Sequence, residues 1–183
     1  MSSRIEDTHS THSRRPRDQL YQGLNLSGRE IRLVELLPGR HNDFICCHMI
    51  VASLDDEVEY KALSYNWGDP DITLSICVNG CILPSTLNLE SALRQFRSTD
   101  ANVILWIDAI CINQLDVPER NQQVAIMAEI YSQATEVMVW LGKDFSSSTL
   151  GLNLRSDDDS ASVLTCSRSR LFGLAQADPV HRV

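Results

Sequence analysis

Apolar positions in this chain fall into short runs separated by turn signals, and the period of each run assigns an element. "IRLVELL" (31–37) and "FICCHMIV" (44–51) read as strands divided by Pro38-Gly39. "YKALSYNWGDP" (60–70) reads as a strand that stops at Gly68-Asp69-Pro70. "ITLSICV-NG-CILP" (72–84) reads as a hairpin about Asn79-Gly80. "NLESALRQFRS" (88–98) sets Leu89, Leu93 and Phe96 at helical spacing behind Asn88 as N-cap. "ANVILWIDAICI" (101–112) is a strand and its exit. "DVPERNQQVAIMAEIYSQA" (116–134) is the best helix. Asp116 can cap it, Pro118 fits the first turn, and Glu119 stands where a capping box wants it. Val124, Met127, Tyr131 and Ala134 form its apolar stripe, widened by Ile130. "EVMVWLG" (136–142) is a short apolar strand.

The ends differ in character. Residues 1–25 predict a polar, disordered arm, residues 26–142 an ordered body, and residues 143–183 an irregular Ser/Asp-rich tail with room for one short helix near 171–177.

The strand at 102–107 is apolar on both faces, with Val103, Leu105 and Ile107 opposite Ile104 and Trp106. Strands buried on both sides predict a parallel sheet covered by helices. The order strand (60–66), helix (88–98), strand (102–107), helix (117–134), strand (136–141) is βαβαβ, the start of a doubly wound α/β fold. In the flavodoxin-like order the first of these strands lies between the other two, and ligands bind beyond the carboxyl ends of the strands. That end gathers Asn66 and Asp69, then Asp108, Asn113 and Gln114, then Lys143. The N-terminal strands and the hairpin either extend this sheet or form a separate small layer.

Length and composition fit one globular domain: 183 residues, 43% hydrophobic and 22% charged. The net charge of −8 is concentrated in 21–142, with seven basic and sixteen acidic residues. Such a body argues against binding nucleic acid or anionic membranes by bulk electrostatics. No apolar run approaches a membrane span, and the N-terminus lacks a secretory apolar segment. None of the six cysteines forms a C-x-x-C pair, so no zinc site is expected. Cys77 and Cys81 flank the hairpin turn and point to opposite faces, which disfavours a disulfide between them. All six read as reduced thiols, mostly buried. The acidic run Asp55, Asp56, Glu57, Glu59 reads as a solvated loop, since its spacing is too irregular for a hard-cation loop. A Ser-His-Asp hydrolase is excluded by the early His41 and His48 and the missing G-x-S-x-G elbow.

Each candidate site residue carries two readings. Asp108, after an apolar run, is a ligand-binding or acid/base carboxylate, or a turn residue bonding nearby backbone N–H groups. Asn113 and Gln114 either contact a substrate or fix their loop. Arg120 either pairs with an acid or helps hold an anion such as phosphate near a helix N-terminus. Glu119 has its capping task. Trp106 and Trp140 read as core, while Trp67, where strand gives way to loop, faces a site. Tyr65 and Ser64 alternate, one to each helix layer. Gly68 marks a tight turn or close backbone approach.

The motifs "YKALSYNWGDP", "LWIDAICINQ", "ERNQQVAIMAEIYSQA" and "VMVWLG", in this order and led in by "IRLVELLPG", closely resemble the fungal heterokaryon-incompatibility (HET) domain over about residues 31 to 142. The resemblance implies a role in non-self recognition in filamentous fungi, where such proteins trigger programmed cell death when incompatible hyphae fuse. It also implies likeness to TIR domains, with a flavodoxin-like α/β fold that agrees with the sheet above. Some TIR domains cleave NAD at the nicotinamide bond using a glutamate, and others act only as self-associating scaffolds. In the TIR layout that glutamate follows the third strand, yet 143–183 contains none. The resemblance therefore leaves open NAD binding or cleavage and an inert scaffold or binding fragment. Its ligand-binding candidates are Tyr65, Trp67, Asp69, Asp108, Asn113, Gln114 and Arg120, with no catalytic residue assigned and no metal. The implied partners are further copies of the chain or other incompatibility proteins, in the cytoplasm. The pattern departs after "WLG", so the domain is expected to be partial and its sheet incomplete beyond residue 142.

Overall fold

The computed structural model describes residues 19–21, 23–25, 28–142 and 163–167. Its elements are strands β1 (Glu30–Leu36), β2 (Cys46–Ser53), β3 (Lys61–Tyr65), β4 (Thr73–Val78) and β5 (Cys81–Thr86), helix α1 (Leu87–Phe96), strand β6 (Val103–Trp106), the one-turn helix α2 (Asp108–Cys111), helices α3 (Val117–Ala125) and α4 (Met127–Gln133), and strands β7 (Glu136–Trp140) and β8 (Val163–Ser167).

The described strands form one sheet in the order β5-β4-β2-β1-β6-β3-β7-β8. β3 runs parallel to β6 on one side and to β7 on the other, so the first of the three parallel strands lies between the other two. The sheet as a whole is mixed, not parallel. β1 is antiparallel to both β2 and β6, and β7 is antiparallel to β8. The N-terminal strands and the hairpin extend the sheet instead of forming a separate layer. The strand at 163–167 corrects the expectation of an irregular tail throughout 143–183. "VLTCS" is too short to show a period, and the open edge of β7 supplies its ladder partner. The helix expected near 171–177 lies outside the described residues, as do residues 1–18.

Helices cover both faces. The register pairs Tyr65 with Trp140 and Ala62 with Trp106, so the two tryptophans point to opposite sides. Phe96 of α1 meets Trp140 edge-on, while Tyr131 of α4 meets Trp106. Both tryptophans are fully buried beside Leu33, Leu63 and Leu105. Leu20 and Tyr21, inside the stretch expected to be a disordered arm, are also buried in this core.

Two helix expectations change. Thr86, not Asn88, caps α1, its hydroxyl accepting from Leu89 N. The helix expected over 116–134 is broken at Ile126, whose backbone (φ −99, ψ 5) closes α3 and opens α4. Val124 is exposed, so the apolar stripe belongs to α4, where Ile130 and Ala134 are buried. The inner face of α3 is instead polar: Glu119 and Gln123 are buried, and Gln123 Nε2 donates to Glu30 O at 2.9 Å.

The Asn79-Gly80 turn has both residues at positive φ, the conformation a two-residue hairpin demands. Its register, Val78 to Cys81 and Cys77 to Ile82, puts the two thiols on opposite faces as expected. The described cysteines form no disulfide, but only Cys47 and Cys111 are buried; Cys46, Cys77, Cys81 and Cys166 are half-buried. No described cluster of acids, thiols and imidazoles could hold a metal ion, and Asp55 of the acidic run pairs with Arg29 at 3.0 Å. No described helix is long and apolar enough to cross a membrane.

Candidate functional site

The parallel strands β3 and β6 end side by side, and their exits make the site. After Tyr65 the chain turns sharply: Asn66 Oδ1 accepts from Gly68 N at 2.9 Å, and Gly68 adopts φ +75. A Cβ at Gly68 would also lie 3.2 Å from the Asn88 side chain, so only glycine fits without strain. This turn aims Trp67 at the other exit, where its Nε1 donates to Asp108 Oδ2 at 3.0 Å.

Asp108 opens α2. Ile107 O accepts from Ile110 N and Cys111 N, closing the single turn. Asp108 Oδ1 accepts from Ala109 N at 2.7 Å. Burial pushes the Asp108 carboxyl above its ordinary value, against the opposing pull of the Trp67 and Ala109 hydrogen bonds. Burial, reinforced by the Asp108 charge, likewise pushes the Tyr65 hydroxyl up.

Trp67 and Tyr65 face a cleft of about 240 Å³. Ile110 continues their wall, and the opposite wall is the hairpin, through Ile76, Leu83 and Pro84. Tyr21 completes the lining, its hydroxyl donating to Ile110 O at 3.0 Å. Among the described residues no basic side chain lines the cleft.

A buried ion pair holds this wall from behind. Arg32 and Glu119 are 1% and 3% exposed and meet in a two-pronged contact, at 2.5 and 3.1 Å. Arg32 also donates to Tyr21 O at 2.7 Å and to Cys111 O at 3.4 Å, and stacks over the Tyr21 ring. Glu119 Oε1 accepts from Asn113 N at 2.6 Å. One pair thus ties together the N-terminal segment, β1, α2, the loop after it and α3.

The family model for heterokaryon incompatibility protein (HET) matches residues 60–172, more than half of the chain. The chain belongs to the HET family. The match begins at the strand β3 side of the resemblance read from sequence, at 60 and not 31, and runs past Gly142 to include β8. A curated relative, heterokaryon incompatibility protein 6, OR allele, of Neurospora crassa, is 38% identical over a region that is 61% of this chain and 18% of that protein. The chain therefore spans only a small part of the length of the curated relative it matches. No solved structure matches the chain.

Within this HET domain the candidates separate into groups. Tyr65 and Trp67 line the cleft; Asp108 is held beside it by Trp67, and Gln114 adjoins Asp108, its Nε2 donating to Asp108 O at 2.8 Å. Asn113 turns its side chain to its own loop, Oδ1 accepting from Leu115 N. Asp69 is exposed and accepts from Asp71 N, closing a turn outside the cleft lining. Arg120 is exposed on α3 and does not line the cleft. Glu119 departs from the capping box: Asp116 Oδ1 accepts from Glu119 N, but the Glu119 carboxylate turns inward to Arg32 and Asp116 N donates to Asn113 O.

Three participants escaped the sequence reading. Arg32 hides in an apolar strand, and only its charge amid "IRLVELL" signals it. Asn88 bridges two elements, Nδ2 to Asn66 O and Oδ1 from Trp140 Nε1 at 2.7 Å. Tyr21 lies in a segment whose composition reads as a tail.

Proposed function

We propose that this chain is the HET module of a fungal incompatibility protein, acting in the cytoplasm in non-self recognition and programmed cell death, and that its cleft binds the heteroaromatic end of a nucleotide such as NAD. Family membership carries the first half of this reading. The second half rests on Trp67, which lines an aromatic cleft and donates to Asp108.

The dimensions support a partial fit. At about 240 Å³ the cleft is smaller than the roughly 300–1,000 Å³ of sites that swallow a drug-sized ligand. One ring system fits; a whole dinucleotide does not. Tyr65 and Trp67 offer faces for stacking, and Asp108 offers an acceptor for an amide or amino group. With no basic residue in the lining, the phosphates stay outside in solvent.

The central order β6-β3-β7 and the helices on both faces support a TIR-like relationship, in which self-association and nucleotide chemistry go together. A second reading, binding or scaffolding without turnover, is favoured by one observation. The carboxylate next to the cleft lining is Asp108, held on both oxygens by the lining residues Trp67 and Ala109. Purified protein incubated with NAD, with free nicotinamide followed by chromatography, separates them. Accumulation of nicotinamide supports cleavage; intact NAD at high protein concentration, with saturable binding, leaves the scaffold reading. Absence of both turnover and binding refutes the nucleotide half of the proposal.

A further inference from the structure

We propose that Cys46 and Cys77 form a redox-modification site, a dithiol that closes to a disulfide and staples the hairpin wall of the cleft to the rest of the sheet. This inference stands apart from the nucleotide reading and does not rest on it.

The hairpin β4–β5 is joined to the sheet at one narrow place. Its parallel bridge to β2 consists of Cys46 opposite Cys77 and Cys47 opposite Val78. The hydrogen bonds there are Cys77 N to Ile45 O and Asn79 N to Cys47 O, with Asn79 Oδ1 accepting from Met49 N. Every other strand pair in the sheet except β3–β6 has a longer register. The thiol pair therefore sits at the hinge of the wall that carries Ile76, Leu83 and Pro84.

The geometry suits a disulfide. Paired residues on neighbouring strands lie about 4.8 Å apart. A disulfide spans Cα separations of roughly 4.4–6.8 Å. Residues opposite one another point to the same face, so the two thiols are neighbours; burial, and after it the adjacent Cys77, raises the Cys46 thiol above its ordinary value. Both thiols are half-buried and reachable, while Cys47, on the opposite face, is buried. Cys47 and Cys111 are pushed up to about 12 by burial, which leaves them inert as thiolates at neutral pH.

The reaction needs a two-electron oxidant of the disulfide class, such as oxidised glutathione. A thiolate of the pair attacks one sulfur of the small disulfide and expels one small thiol. The neighbouring protein thiolate then attacks the mixed disulfide at the protein sulfur and expels the second. Two protein thiols are oxidised, one small disulfide is reduced to two thiols, and the two protons go to those thiols.

The test treats the full chain with oxidised glutathione, blocks remaining thiols by alkylation and maps the peptides by mass spectrometry. The expected product is a linked peptide pair carrying Cys46 and Cys77, lost on reduction. Cys46→Ser and Cys77→Ser should each abolish it and retain a glutathione adduct on the surviving thiol. Hydrogen exchange should slow about tenfold across residues 73–86 in the oxidised wild type and not in either variant, because the joint no longer opens locally. Unlinked adducts on both cysteines of the wild type, or an unchanged linked product in Cys77→Ser, would overturn the site. Equal exchange across 73–86 in oxidised and reduced protein would overturn the staple.

Discussion

Asp108 and Glu119 both follow strand β6, and the surroundings of these two carboxylates are opposite. Glu119 is buried against Arg32, saturated by a guanidinium and by Asn113 N. Asp108 is bonded to Trp67, which lines a cleft with no cation among its described lining residues, and the partners of its carboxylate are an indole N–H and one backbone amide. A buried charge that is fully paired fixes geometry. A half-buried carboxylate with neutral partners keeps spare acceptor capacity and a raised pKa, the condition of a group that meets a ligand. The difference teaches which acid in this segment is framework and which is available for chemistry.

The contrast breaks most visibly at the framework end. Replacing Arg32 by Met leaves the Glu119 charge buried and unpaired, and releases Tyr21 O and Cys111 O. We expect a loss of about 3–5 kcal/mol in denaturant unfolding. A loss below about 1 kcal/mol would mean that water reaches Glu119 and that the pair is not a buried framework.

Tyr21→Phe is a milder cut through the same framework. It removes the hydrogen bond to Ile110 O and keeps the ring under Arg32. The expected loss is about 1 kcal/mol, read from the urea midpoint with an unchanged slope.

At the cleft end the expected stability effect is smallest and depends on pH. The Asp108 carboxyl holds its proton more tightly in the folded state than in the unfolded one. Its contribution to stability is therefore greatest at low pH and declines as pH rises from its ordinary value of 3.8 through the raised folded value, staying lost above it. Asp108→Asn removes this decline while keeping an acceptor for Trp67. The wild-type minus variant stability should fall with rising pH across that window in urea melts. A difference that rises with pH would assign Asp108 a paired, framework role like that of Glu119.

Sequence and structure agree where a signal is local and periodic. The β3, β6 and β7 strands were legible because each is a short apolar run bounded by Gly, Pro or charge, and right-handed crossovers then order them. The Trp67 exit and the Asp108 exit were legible as polar ends of such runs. What was hidden depends on register or on distant pairing. Arg32 and Glu119 are 87 residues apart, so a capping box was the nearer explanation for Glu119. The polar inner face of α3 mimicked an exposed one until Arg32 and Glu30 O were seen to receive it. The hairpin wall of the cleft and the Cys46–Cys77 pair both require the β2–β4 register, which no spacing in the sequence encodes. Asp69 and Arg120 were drawn to the site by their place in the chain, but their side chains lie on the surface.

The most direct test of the division between framework and site is a calorimetric titration of NAD into wild type, Asp108→Asn and Arg120→Ala. Wild type should bind saturably, Asp108→Asn at least about tenfold more weakly, and Arg120→Ala with wild-type affinity. Equal affinity in wild type and Asp108→Asn, or affinity lost with Arg120 and kept without the Asp108 carboxylate, would contradict that division.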